Sequence, residues 1–396
     1  MTTRRSFVKW VSAAGSAVGL AGLPRFGEAL ELPDGIWTPA SPGRARAPLN
    51  ILILGGTGFT GPEQVDYALA RGHRVTLFNR NKTRPGMFKG KVHEELVGDL
   101  NSDTSALAGK SFDVVIDNPT TAPAWVRNVA QQLKGRVKHY IFISTTSTYG
   151  NDQSAIGLNE DSPTAVLPSD IDPYTLDPQL LSRHYGPLKV LAEKEVQKHY
   201  AGSWTVIRPC LIVGPLDRTD RFTWWPARIA QGGEVLAPDK PDDPCQYIDS
   251  RDLAEWTVRV AEARELGLFN AIGPAHPFTI AEMLYGVRAV TTQPTRFTWV
   301  PWEFLQQHQV RPWRDMTVWQ PPYGRTAGYQ RRSAAKAIAK GLTFRPHAVT
   351  AKDTLDWHLT RPLEEQQATL EGKINGIGMK REAEVLAAWH ARKGTG

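Results

Sequence analysis

The chain has 396 residues, of which 41% are hydrophobic and 22% charged, a composition that buries a full core and excludes a disordered or fibrous chain. Its formal charge of +7 falls to +4 once Arg4, Arg5, Lys9, Arg25 and Glu28 are set aside, too little to argue for a nucleic-acid partner. Two cysteines, Cys210 and Cys245, exclude a disulfide framework and, so far apart in sequence, a zinc pair; they leave room for one disulfide, and the ten histidines form no metal cluster.

At the N-terminus, Thr3-Arg4-Arg5-Ser6-Phe7-Val8-Lys9 sets an arginine pair before a large apolar residue, and a small, mostly apolar run follows from Trp10 to Leu23. That order predicts a twin-arginine export signal over residues 1–29, cut after Ala29 or after Ala47, with the twin-arginine machinery as partner and a periplasmic or extracellular destination. The run is broken by Ser and Gly and is shorter than the roughly 18 to 20 residues that cross a bilayer, so no stable membrane span is expected. Residues 30–48, rich in Pro, Gly, Ala and Arg without an apolar period, read as a linker.

From Leu49 onward, strand-like and helical patterns alternate. Asn50–Leu54, Arg74–Phe78, Val92–Val97, Asp113–Asp117, Tyr140–Ser144 and Trp204–Ile207 read as strands, the mark of a parallel sheet with crossover helices. Directly after the first run comes Gly55-Gly56-Thr57-Gly58-Phe59-Thr60-Gly61-Pro62, then a helical pattern to Ala70. A side chain there would bar a pyrophosphate from the backbone N–H groups at the helix N-terminus, and Pro62 suits a first helical position. The expectation is α/β: a Rossmann-type doubly wound parallel sheet over 49–210 that binds NAD(P), a smaller substrate lobe with late Rossmann elements over 211–362, and a helical tail over 363–396.

Asn79-Arg80 closes the second strand where an NAD enzyme carries an acid on the adenosine ribose. Arg80, with Lys82 or Arg84, would face a 2′-phosphate and tilt the choice to NADP; a solvated arginine is the alternative. Asp99 and Leu100, after the third strand, would sit near the adenine ring.

Tyr185 and Lys189, four apart on a helical pattern running to Tyr200, share one helical face. A lysine ammonium beside the phenol favours its ionised form, so Tyr185 can act as acid or base. Upstream, Thr145-Thr146-Ser147-Thr148 ends a strand with hydroxyls able to hold a substrate oxygen.

Together these residues resemble the short-chain dehydrogenase/reductase superfamily, in particular its extended and atypical members of the NAD-dependent epimerase/dehydratase type, over roughly residues 49–290. Arg208-Pro209, Gly214-Pro215 and Tyr247-Ile248-Asp249-Ser250-Arg251-Asp252-Leu253-Ala254 look like later landmarks of that family. The resemblance implies Thr145 as the catalytic hydroxyl, Tyr185 as proton carrier, and Lys189 as the group that orients the nicotinamide ribose and tunes the tyrosine. The segment from Thr145 to Tyr185 is longer than in typical epimerases, and Asp117-Asn118-Pro119 replaces a small-residue motif. The adjacent glycines match an atypical subgroup that includes isoflavone reductases, sugar epimerases and chloroplast messenger-RNA-binding proteins.

Thr146-Ser147 stands where dehydratases of the family carry Asp-Glu, which disfavours dehydration. Export implies a cofactor loaded beforehand and recycled in place, hence an epimerase or oxidoreductase acting on a secondary alcohol such as a sugar or glycoside. Thr146, Arg221, Trp224 and Trp225 are the candidate substrate contacts; the bland readings are a loop salt bridge of Arg221 with Asp217 or Asp220, and tryptophans that are merely core. The competing functions are an RNA-binding protein on the same fold and a cofactor-bound scaffold without turnover.

Overall fold

The computed structural model describes residues 42–393. The expected export signal, and the expected linker up to residue 41, lie outside the described residues. In chain order come β1 (Asn50–Leu54), α1 (Gly61–Ala70), β2 (Arg74–Asn79), β3 (Glu94–Val97), β4 (Phe112–Asp117), α2 (Pro123–Leu133), β5 (Val137–Ile143), α3 (Pro178–Arg183), α4 (Tyr185–His199) and β6 (Trp204–Pro209). The later elements are β7 (Ile212–Val213), α5 (Trp224–Ile229), β8 (Gly233–Pro238), β9 (Ile248–Asp249), α6 (Ser250–Ala263), β10 (Gly267–Ala271), α7 (Ile280–Ala289), β11 (Thr295–Val300) and α8 (Trp302–Gln307), then α9 (Ala335–Ala339), α10 (His347–Leu359), α11 (Leu363–Leu370) and α12 (Met379–Lys393).

Seven strands form one parallel sheet in the order β10-β6-β5-β4-β1-β2-β3, with the chain reversing direction of travel between β1 and β4. Both faces are covered, so β1 is a continuous apolar run rather than an alternating one. Ile51 and Ile53 join a core with Val65, Val75 and Trp256 on one face; Leu52 and Leu54 join Val115, Phe142 and Val206 on the other. This places the carboxyl ends of β1 and β4 at a topological switch point, where ligands of such sheets bind.

The third core belongs to the C-terminal lobe, where Val213, Phe222, Trp224, Trp225, Leu236, Met283 and Trp319 pack together. The polar run after residue 362 is two helices, broken around Gly372, Gly376 and Gly378, and α12 buries Val385, Leu386 and Trp389 in that same core. Glu382 of α12 is buried against Arg228 of α5 and accepts from Leu236 N at 3.0 Å.

Of the expected strands only β1 keeps its limits; β2, β3, β4, β5 and β6 differ at one or both ends, β5 beginning at Val137 rather than Tyr140 and β6 running on to Pro209. Strand β3 begins at Glu94 because Val92 N turns back onto Phe88 O. The seventh strand, β10, was hidden by the loosened pattern after Pro209; it pairs with β6 from Gly267 to Ala271. Among the described residues no helix is long and apolar enough to cross a membrane, no His/Cys/Asp/Glu group could hold a metal, and Cys210 and Cys245 are both free and buried.

Removing one partner of the buried Arg228–Glu382 pair strands a charge in the lobe core. Glu382→Ala is therefore expected to cost about 3–5 kcal/mol in urea unfolding, whereas Glu384→Ala, which breaks an exposed pair with Arg381, should cost no more than about 1 kcal/mol.

Candidate active site and cofactor cleft

A cleft of 470 Å³ opens at the switch point. Its phosphate end is the turn between β1 and α1, where Gly55, Thr57, Gly58, Phe59 and Thr60 line the wall. Gly56 and Gly61 stand behind it. Gly61 opens α1 against the turn itself: a Cβ there would lie 2.5 Å from Gly55 O and 2.6 Å from Gly56 Cα, so only glycine lets the helix N-terminus fold this close to the strand end. The turn is clasped from the β4 side. Asn118 accepts from Thr60 Oγ1 at 3.3 Å and from Gln64 Nε2 at 3.0 Å, and donates to Gln64 Oε1 at 2.7 Å and Leu54 O at 3.3 Å. The Asn118 that departs from the family's small-residue motif thus acts as the brace of the phosphate turn.

At the adenosine end, Asn79, Arg80 and Lys82 line the cleft after β2, and Asp99 and Leu100 after β3. Asp99 is held on the wall by its own turn, accepting from Asn101 N at 2.9 Å and exchanging backbone bonds with Asp103. Asn79 Oδ1 is buried without a partner. An orphaned acceptor beside a glycine cradle at a helix N-terminus suits the hydroxyls and pyrophosphate of a dinucleotide, so the residues present fit that cofactor. Arg84 is not at the adenosine end. Its guanidinium donates to Thr57 O at 3.2 Å, Gly58 O at 2.8 Å and Leu216 O at 3.4 Å, which removes it from the candidates for a 2′-phosphate.

At the opposite end, Thr145 caps the single 3-10 turn Thr146–Tyr149, accepting from Ser147 N at 3.1 Å. Tyr185 begins α4 and lines the cleft. The helix start reaches this turn because the next residue is glycine: a Cβ on Gly186 would lie 2.2 Å from Ser147 O. Desolvation raises the Tyr185 phenol above its ordinary value, and the Thr145 hydroxyl and the Arg221 guanidinium pull it back down.

Lys189, one turn further along α4, is 2% exposed. Its Nζ donates to Ile143 O at 2.6 Å and Thr120 O at 2.8 Å and lies 4.3 Å from the centre of the Phe142 ring. Burial lowers it to about 8, opposed by the carboxylates of Asp117 and Glu193. Those two acids are themselves fixed. Asp117 accepts from Tyr140 Oη at 2.7 Å, and Glu193 takes Arg208 through bonds of 2.9 Å and 2.7 Å and accepts from Ser144 Oγ. Asp117 entered the sequence reading only as a strand end and as part of the Asp117-Asn118-Pro119 departure, and Glu193 not at all, although it lies four residues beyond Lys189 on the same helical face.

Of the candidate substrate contacts, Arg221 alone acts on the Tyr185 phenol, through its charge; it does not line the cleft, and its Nε donates to Thr219 Oγ1 at 2.9 Å. Thr146 is buried within its turn and does not line the cleft. Trp224 and Trp225 are each 1% exposed: α5 points both into the lobe, where Trp225 Nε1 donates to Thr317 O at 2.9 Å. With no face left open, neither can stack on a ligand, which corrects the expectation for this pair.

A family model described as "NAD dependent epimerase/dehydratase family" matches residues 51–271. The chain is 29% identical over 244 residues to the chloroplast stem-loop binding protein of 41 kDa b of Arabidopsis thaliana, an alignment that covers 56% of this chain and 58% of that protein. It therefore spans little more than half the length of this curated relative. Among solved structures, the UDP-glucose 4-epimerase of Thermotoga maritima with UDP-glucose is 18% identical with a TM-score of 0.53, over 78% of this chain and 98% of that one. The Bordetella bronchiseptica enzyme WbmH in complex with NAD+ is 15% identical with a TM-score of 0.54, over 79% and 99%. At such identities the likeness concerns the fold.

The opposing influences on Tyr185 give a test that needs no substrate. In an ultraviolet difference titration referenced to Tyr185→Phe, Arg221→Gln should move the Tyr185 transition to higher pH, because it removes a cation that favours the phenolate, and Thr145→Ala should move it the same way. A transition unmoved by Arg221→Gln would remove Arg221 from the site.

Proposed function

We propose, from the premise that this chain belongs to the NAD-dependent epimerase/dehydratase family, that it is an NAD(P)-dependent epimerase or oxidoreductase acting on a secondary alcohol, of a sugar or glycoside. The observation that carries this reading is the placement of Tyr185, with the Thr145 hydroxyl bonded to it, and of Lys189 at one end of a cleft whose other end is a glycine-turn phosphate cradle. When bound, the dinucleotide supplies the acceptor and donor of hydride.

The protein's own groups do the rest. Tyr185 Oη takes the proton of the substrate hydroxyl as its carbon is oxidised, and returns it on reduction. Thr145 Oγ1 donates its one hydrogen to the tyrosine oxygen while that is ionised and to the substrate oxygen once the phenol is protonated, and Arg221 favours the negative charge that the tyrosine acquires. Lys189 keeps one of its three N–H donors beyond those given to Thr120 O and Ile143 O, enough for a ribose hydroxyl. Its buried charge is supported by Asp117 and Glu193. An epimerase returns hydride to the opposite face of the same carbon and leaves the cofactor as it began; this suits a chain whose arginine-pair N-terminus we read as a signal for export after cofactor loading. Arg80 and Lys82 at the end of β2 favour NADP over NAD.

The relative from Arabidopsis thaliana, named for stem-loop binding, supports a second reading as an RNA-binding protein on this fold. One experiment separates the two. Protein purified without added cofactor is denatured and the supernatant resolved by chromatography. Near-stoichiometric NAD(H) or NADP(H) is expected, retained also by Tyr185→Phe, which should lose about 10²–10⁴-fold of turnover on a panel of sugars and glycosides. Protein that is empty, takes up neither dinucleotide and binds a stem-loop RNA in a salt-sensitive way would replace the first reading by the second.

A further inference from the structure

The catalytic reading leaves unused a cationic group that clasps the glycine turn from outside the residues lining the cleft. Arg84 gives Nη1 to Thr57 O and Gly58 O of the glycine turn and Nη2 to Leu216 O. Leu216 lies beyond the sheet, in the segment Gly214–Arg221 that leads into the C-terminal lobe. One side chain therefore joins the cradle of the cofactor to the lobe. Both ends of the bridge sit in the left-handed region that non-glycine residues seldom adopt, Arg84 at φ +47 and Leu216 at φ +74. Such backbone persists where surrounding contacts impose it, and it clusters at ligand clamps.

The charge at this place is unbalanced. All three bonds of Arg84 go to neutral carbonyls, and the charged group acting on it is a second cation, Arg218. Neither has a carboxylate partner among the described residues, and the positive end of the α1 dipole lies beside them. A dianionic pyrophosphate would neutralise this cluster.

The segment that bears Arg218 is bonded to the lobe. Asp220 accepts from Arg361 at 2.8 Å and from Thr369 at 2.8 Å, and Asn375 Nδ2 donates to Thr219 O at 2.7 Å. We propose that Arg84 is a latch that holds the glycine turn in place around the pyrophosphate of the bound dinucleotide and ties cofactor release to movement of the C-terminal lobe away from that turn. This rests on the dinucleotide reading above and adds to it the means of retention.

The test is the rate of cofactor release from the full chain. Protein loaded with NADPH, or with NADH, is mixed with a large excess of the oxidised form, and the loss of bound-nucleotide fluorescence is followed. Arg84→Ala should accelerate release about tenfold or more, and Arg84→Lys, which keeps the charge without the fork, should fall between. Arg218→Glu, at an exposed position that folding does not need, should also accelerate release by several-fold, with the wild-type rate rising as salt is added. Release from Arg84→Lys and Arg218→Glu at the wild-type rate would overturn the latch while leaving the dinucleotide reading intact. A wild-type protein that binds neither reduced dinucleotide would overturn both.

Discussion

The site depends on one buried ammonium. Lys189 Nζ sits where β5 ends and the loop after β4 begins, bonded to a carbonyl from each, so α4 is fastened to the carboxyl edge of the sheet by a charge that has left water. An isolated cation so placed would be costly, and the cost is met by fixed acids rather than by solvent. Asp117 stands behind it on β4 and Glu193 one turn along its own helix, each locked by a further buried partner. Tyr185, one turn earlier on the same helix, then has a defined position facing the cleft. Moving any member of this set would shift the register of α4 against the sheet, and with it the phenol.

A second constraint acts through the absence of atoms. At Gly61 and again at Gly186 a helix begins within a distance that no Cβ permits, once against the phosphate turn and once against the turn of Thr146–Tyr149. The two helix starts lie at opposite ends of the cleft and bring its cofactor cradle and its proton carrier to the same edge of the sheet.

These two regions differ in how far they could be read from the sequence. The glycine turn, with a buried strand before it and a helix after it, carries its geometry in local residue type, as does the four-residue spacing of Tyr185 and Lys189. Braces do not. Asn118 meets Gln64 across 54 positions, and Arg228 meets Glu382 across 154, so no periodicity marks either pair. Trp224 and Trp225 misled for the same reason: paired tryptophans beside arginines look alike in sequence whether they face a ligand or a core, and the lobe that encloses them is assembled from segments as late as α12. The lengthened stretch between Thr145 and Tyr185 becomes an irregular segment over 150–177. It is tied to the late chain through Gly157 N to Arg331 O and Ser333 N to Leu158 O, contacts that also have no local signature.

The two cysteines have a consequence for where this protein can be stable. Burial pushes the thiol of Cys210 up to about 12 and that of Cys245 up as well, so neither supplies the thiolate that exchange or oxidation needs. Both are small apolar fillers, one in the sheet core and one in the lobe. No bond of the fold waits on an oxidant. The same native state is therefore complete under reducing and oxidising conditions alike, and a chain of this kind can finish folding in one redox environment and work in another without covalent change.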